Sequence, residues 1–184
     1  MIKELTNEEF YNFCLTFKDK SIYQTPEYAF VMNKQGFDSI LLGMTNSNNE
    51  LIAASLILIE KKYGFKYAYA PRGFLIDYDN ESVVKSFTCL IKKYLGKLDI
   101  IAIKICPMIY KNIMDSKNNI VKINNNFENN FKLLRKLEYY HLGFNNSFEA
   151  LKPRFVSIIP LNSNYTKTFN DLSKPLKTKI RGAE

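Results

Sequence analysis

The longest apolar run of the chain, Leu51 to Ile59, lies between two turn signals, Asn46-Ser47-Asn48-Asn49 and Tyr63-Gly64. A membrane-spanning helix needs about 20 apolar residues, so this run is far too short to be one. Bounded by turns, it reads as a strand extending to Glu60. Ser39 to Thr45 reads as its antiparallel hairpin partner, and Phe65 to Ala70 as a third strand interrupted by Pro71-Arg72-Gly73. Ile100 to Ile105 is a further apolar strand, stopped by Pro107, and its composition predicts cover on both faces.

Helices are announced by their caps. Thr6-Asn7-Glu8-Glu9 is a capping box, followed by Phe10, Phe13, Cys14 and Phe17 at helical spacing, which predicts a helix over 7–18. Thr25-Pro26 opens a second short helix that Gly36 can stop. Asn80 caps a third, with Val83, Val84, Phe87, Leu90, Ile91, Tyr94 and Leu95 on one face and Gly96 at its end. Phe127, Phe131, Leu134, Leu137 and His141 predict a fourth, closed by Gly143. Phe155 to Leu161 reads as a strand. A last helix begins at Ser173, with Leu172, Leu176 and Ile180 as its apolar stripe. Strands and helices in this order predict an α+β (mixed α/β) sheet flanked by helices in a single domain.

Several chemistries have no support. The three cysteines form no CxxC pair and no zinc pattern. The one histidine, His141, falls on the fourth predicted helix, where a structural role is the better reading. There is no HExxH, GxSxG or Walker sequence. Asp77 and Asp79 read as turn and cap residues. With seven glycines and no RxxGxG/A-like loop, no cofactor is expected, acetyl-CoA included. No signal peptide is legible, and the chain is read as cytoplasmic. The formal charge of +8 suits polyanionic partners, although Lys-rich surfaces are often simply solvated.

Three segments carry a resemblance. Ser21-Ile22-Tyr23-Gln24-Thr25-Pro26-Glu27-Tyr28-Ala29 resembles the "fxQtpeWa" opening of the FemA/FemB/FemX family of peptidoglycan bridge-forming aminoacyltransferases, with Tyr28 for the usual Trp. Tyr67-Ala68-Tyr69-Ala70-Pro71-Arg72-Gly73-Phe74-Leu75-Ile76-Asp77-Tyr78 is similar to "Y.prGPvlDy", with Phe74 for the usual Pro. Leu142-Gly143-Phe144, Lys152-Pro153-Arg154 and Leu172 to Arg181 resemble "GF…qPr…L…ls.ktr..ir.A".

The resemblance implies a GNAT-like sheet and two such domains in a complete enzyme. Residues 1–170 would form the N-terminal one, and 171–184 would begin the helix toward a second domain that is absent. It implies transfer of an amino acid from aminoacyl-tRNA to the side-chain amine of lipid II or UDP-MurNAc-pentapeptide, without metal or nucleotide cofactor. The isolated chain is then expected to be an inactive half. A homologous full-length chain is a further implied partner. A non-catalytic tRNA- or precursor-binding module, or a heterodimer partner, is the alternative, and an acetyl-CoA-dependent N-acetyltransferase ranks last.

The cations placed against the precursor are Lys34, Arg72, Lys104 and Arg154. Each has a plainer reading. Arg72 could bond turn carbonyls or pair with Asp77, Lys104 could snorkel from a strand, Arg154 could be a solvated edge charge, and the Lys/Arg cluster after Ser173 a solvated helix face.

Overall fold

The computed structural model describes residues 1–143, 156 and 164–182. The chain divides into two compact units, Met1–Tyr140 and His141–Glu184.

The first unit is built on a five-stranded sheet. Strands β1 (Ile2–Glu4), β2 (Asp38–Thr45), β3 (Leu51–Lys62), β4 (Phe65–Ala70) and β5 (Ile100–Ile105) lie in sequence order. The first four pair antiparallel, and β5 pairs parallel to β4 with Tyr69 opposite Lys104 and Ala70 opposite Ile105. The crossover between them is α3 (Glu81–Gly96), whose first turn is capped by Asn80 accepting from the Val83 amide. A parallel pair needs such a crossover.

β3 is the central element because both its faces are apolar. Ala53, Ile57 and Ile59 pack with Val84, Phe87, Ile91 and Leu95 of α3. Ala54, Leu56 and Leu58 face the other way, against Phe10 and Cys14 of α1 (Asn7–Thr16) and Ala29 of α2 (Pro26–Lys34). Full burial of each Leu or Ile here contributes about 1.5–3 kcal/mol. α1 carries the predicted capping box, with the Glu9 amide 3.1 Å from Thr6 Oγ1 and the Thr6 amide 2.8 Å from Glu9 Oε2. Thr25 caps α2, Pro26 sits in its first turn, and Gly36 follows with a φ of +89°.

Four features differ from the sequence reading. β5 is not covered on both faces: among the described residues it is the last strand of the sheet, and Ile101 is 58% exposed. The fourth helix, α4 (Phe127–Lys136), stops well before Gly143. Its Leu137 carbonyl accepts from Lys92 Nζ at 2.7 Å, Glu138 takes a φ of +65°, and His141 lies beyond the helix. β1 and the hairpin β6 (Asn112–Met114) and β7 (Ile120–Ile123) are three- and four-residue strands, too short for a period to show. A helix α5 (Tyr165–Asp171) precedes the expected last helix α6 (Lys174–Arg181).

In the second unit α6 starts after Ser173 as expected, Leu172 and Ile180 are half-buried, and Leu176 is exposed. The strand expected over 155–161 lies outside the described residues except for Val156, which is not in a strand. Among the described residues no helix is long and apolar enough to cross a membrane.

Candidate functional site

The ladder between β3 and β4 opens at Pro71. Proline has no N–H to donate to a neighbouring strand, and the pairing that runs from Lys62–Phe65 to Leu58–Tyr69 ends there. The gap is filled by a side chain. Gln24, 1% exposed, lies in the 3-10 turn Ile22–Gln24 just before α2. Its Nε2 donates to the carbonyls of Pro71 (2.7 Å) and Leu56 (3.2 Å). Its Oε1 accepts from the Leu56 amide (2.8 Å) and from Ser55 Oγ (3.3 Å). A primary amide has two donors and an acceptor oxygen with two lone pairs, and here both ends are fully used. Beyond the gap, pairing resumes between Ala54 and Leu75.

Arg72 stands at the apex of the excursion this creates. Its φ of +52° lies in the left-handed region, disfavoured for a residue with a Cβ by roughly 1–2 kcal/mol. Gly73 follows because nothing larger fits: an added Cβ would lie 2.9 Å from both Gln24 Nε2 and Ser55 Oγ. The Gly73–Phe74 peptide is cis. On the far side the Phe74 amide donates to the Tyr78 hydroxyl at 2.7 Å, and burial pushes that hydroxyl's pKa far above the ordinary phenol value, so it stays protonated. Phe74 itself is buried edge-on against Phe87, ring centres 5.1 Å apart. The turn is thus clamped by Gln24 and Ser55 on one side and Tyr78 on the other.

The guanidinium of Arg72 is not consumed by this clamp. Arg72 is half-buried, and among the described residues no hydrogen bond or ion pair holds it, neither turn carbonyls nor Asp77. Asp77 instead accepts from the Asp79 amide, and Asp79 accepts from the buried Asn130. Turn and cap chemistry therefore accounts for both carboxylates.

Lys104 lies at the same end of the sheet, one residue short of the β5 terminus. Its ammonium sits 5.9 Å from the ring centre of Tyr69, the residue opposite it on β4, and no carboxylate among the described residues pairs with it. Both chains of the parallel pair therefore end in an unneutralised cation. The C-terminal ends of parallel strands are where open α/β sheets bind ligands. Lys34 is elsewhere. It lies in the last turn of α2, 5.3 Å from the Phe30 ring. α2 is nine residues long, roughly 13 Å at 1.5 Å per residue, and Lys34 is at the end away from Gln24. Arg154 lies outside the described residues. No group of three or more metal-ligating side chains occurs among the described residues.

Sequence reasoning named Arg72 and Lys104 but missed the residues that hold them. Gln24 was visible only as one letter of a motif, and Tyr69, Ser55 and Tyr78 as strand or turn residues.

A mixed sheet of this order, with a parallel pair ending in a clamped turn, is a GNAT-like fold. The crystal structure of FemX superposes with a TM-score of 0.75 at 20% identity, covering 98% of this chain and 42% of that one. The BH1408 protein of Bacillus halodurans, as a tetramutant, superposes with a TM-score of 0.53 at 14% identity, covering 82% of this chain and 99% of that one. A model of the FemAB family matches residues 5–184, and the chain belongs to that family. Aminoacyltransferase FemA of Staphylococcus aureus, strains bovine RF122 / ET3-1 and MW2, is 30% identical over 174 residues. The match covers 92% of this chain but only 40% of those relatives' length.

Proposed function

We propose that this chain supplies the precursor-binding surface of a peptidoglycan interpeptide-bridge aminoacyltransferase. In the reaction the side-chain amine of lipid II or UDP-MurNAc-pentapeptide attacks the ester carbonyl of an aminoacyl-tRNA. A C–N bond forms, the C–O bond to the ribose breaks, and the proton lost by the amine goes to the departing ribose oxygen. Such a transfer depends on holding the two reactants in register. Both substrates meet in the cytoplasm, which is where this reading puts the chain.

The observation that carries the reading is the free guanidinium of Arg72 on a turn fixed by Gln24 and Tyr78, with Lys104 at the neighbouring strand end. A planar guanidinium and a compact ammonium suit the diphosphate that both precursor forms carry. A cation kept without a carboxylate partner, on a turn that takes a disfavoured φ, is what an anion site requires of the free protein. Lys34 and Arg154 are further contacts proposed for the same precursor.

The test is calorimetric titration of the chain with UDP-MurNAc-pentapeptide and, separately, with the free pentapeptide. Saturable, salt-sensitive binding of the diphosphate-bearing ligand alone is expected. Equal binding of both, or of neither, overturns the proposal.

A further inference from the structure

The most charged part of the molecule is not the turn at Arg72. Over 164–182 the chain carries five cations, Lys167, Lys174, Lys177, Lys179 and Arg181, against one anion, Asp171. Half of the chain's formal +8 is thus concentrated in two short helices. A solvated helix face ordinarily interleaves opposite signs at i,i+3 and i,i+4, each pair gaining about 0.2–0.5 kcal/mol. α6 does the reverse. Lys174 and Lys177 are three apart, Lys177 and Arg181 four apart, and the helix has no acidic residue. Lys174 stands in its first turn, where the helix dipole disfavours a cation.

The local structure arranges these charges. Lys177 Nζ donates to the Asn170 carbonyl at 2.6 Å, holding α6 against the end of α5. The Arg181 guanidinium lies 5.3 Å from the centre of the Phe169 ring, within cation–π range. No carboxylate among the described residues pairs with any of the five cations. Lys174, Lys177 and Arg181 then line one stripe over roughly 10 Å of helix, with Leu176 and Ile180 on the other side.

From this placement we infer that the α5–α6 pair is a contact surface for the sugar-phosphate backbone of RNA, here that of the aminoacyl-tRNA. The inference rests on the aminoacyltransferase reading and names the part of this chain that meets the RNA. Cations with no carboxylate partner among the described residues repel one another in the free protein and are relieved by a polyanion, whose condensed counterions are released on binding. A stacked arginine is the usual partner of phosphates and bases. An anionic membrane is the weaker match. The apolar side of α6 offers only Leu176 and Ile180, the second half-buried, with no aromatic residue to seat in an interface.

The experiment is fluorescence anisotropy of labelled, deacylated tRNA with the full chain between 50 and 200 mM salt, conditions over which phosphate contacts are read from the slope of log K against log salt. Wild type should bind, and Lys174→Gln/Lys179→Gln, which removes two cations without a structural partner, should flatten the slope by about 1.5 and weaken binding roughly tenfold at low salt. Adding Lys177→Gln and Arg181→Gln should flatten it further, with circular dichroism confirming the fold. The control Lys111→Gln/Lys117→Gln/Lys122→Gln, on the β6–β7 hairpin, should leave the slope within about half a unit of wild type.

The inference is overturned if wild type does not bind tRNA, if the pair leaves the slope unchanged, or if the control triple flattens it equally. It is also overturned if phosphatidylglycerol vesicles bind through these lysines while tRNA does not. Loss of tRNA binding with intact precursor binding sinks this inference alone. Intact tRNA binding with no precursor binding sinks the functional reading alone.

Discussion

Gln24 Nε2 donates to the carbonyl of Pro71 at 2.7 Å across 47 residues of sequence, joining the turn before α2 to the turn after β4. This bond and its three companions place a side chain where a strand would otherwise lie. The Arg72 turn therefore depends on a buried amide rather than on the sheet ladder.

Gln24→Ala should be among the most damaging single substitutions in the first unit. It leaves the Leu56 amide and the Pro71 carbonyl buried without partners, each worth about 1–3 kcal/mol. Urea denaturation should show a loss of about 2–4 kcal/mol. Ser55→Ala, which keeps the amide, should cost less than about 1.5 kcal/mol.

Gly73→Ala pushes a methyl to 2.9 Å from Gln24 Nε2 and Ser55 Oγ. The expected cost is about 1–3 kcal/mol. Because the clash is with Gln24 itself, Gly73→Ala and Gln24→Ala should be non-additive in a double-mutant cycle, by about 0.5 kcal/mol or more.

Arg72→Gly should separate stability from binding. Glycine accepts a φ of +52° without a Cβ penalty, and among the described residues the guanidinium has no hydrogen-bond or ion-pair partner to lose. The variant should melt no lower than wild type, while its affinity for UDP-MurNAc-pentapeptide should fall about tenfold or more.

Alkaline pH should destabilise the fold in a defined window. Burial, with a smaller contribution from Glu27, raises the Cys14 pKa from its ordinary 9.0 to about 11. Between those values the unfolded chain has released the thiol proton and the folded chain still holds it. Stability is therefore full below pH 9 and is lost as pH rises toward 11. Cys14→Ala should flatten that part of a melting-temperature profile. Burial also raises the Tyr139 hydroxyl from its ordinary 10.0 to about 12, which steepens the decline between those two pH values. In native protein a maleimide should label Cys89, which is exposed, well before the buried Cys14.

Much of the fold was legible because its signals are local. Thr6, Thr25 and Asn80 announce helix starts within four residues, and Leu51 to Ile59 shows its strand by composition. What stayed hidden depends on distant partners. Whether an apolar strand is central or at an edge is decided by its neighbours, so Ile100 to Ile105 read as covered although Ile101 is exposed. The end of α4 depends on Lys92, 45 residues earlier in the chain. At the site, Arg72 and Lys104 could be named only through the family resemblance, as cations within or near the segments that carry it. The role of Gln24 could not, because its bonds reach 31 to 47 residues away and leave no periodic trace.

The claim on which the rest depends is that Arg72 and Lys104 act on one anionic group. A double-mutant cycle of Arg72→Ala and Lys104→Ala, read as the Kd for UDP-MurNAc-pentapeptide, tests it most directly. Two cations sharing one diphosphate should show a coupling of about 1 kcal/mol or more, roughly fivefold in Kd. Strict additivity of the two losses, or variants that bind as tightly as wild type, would contradict it.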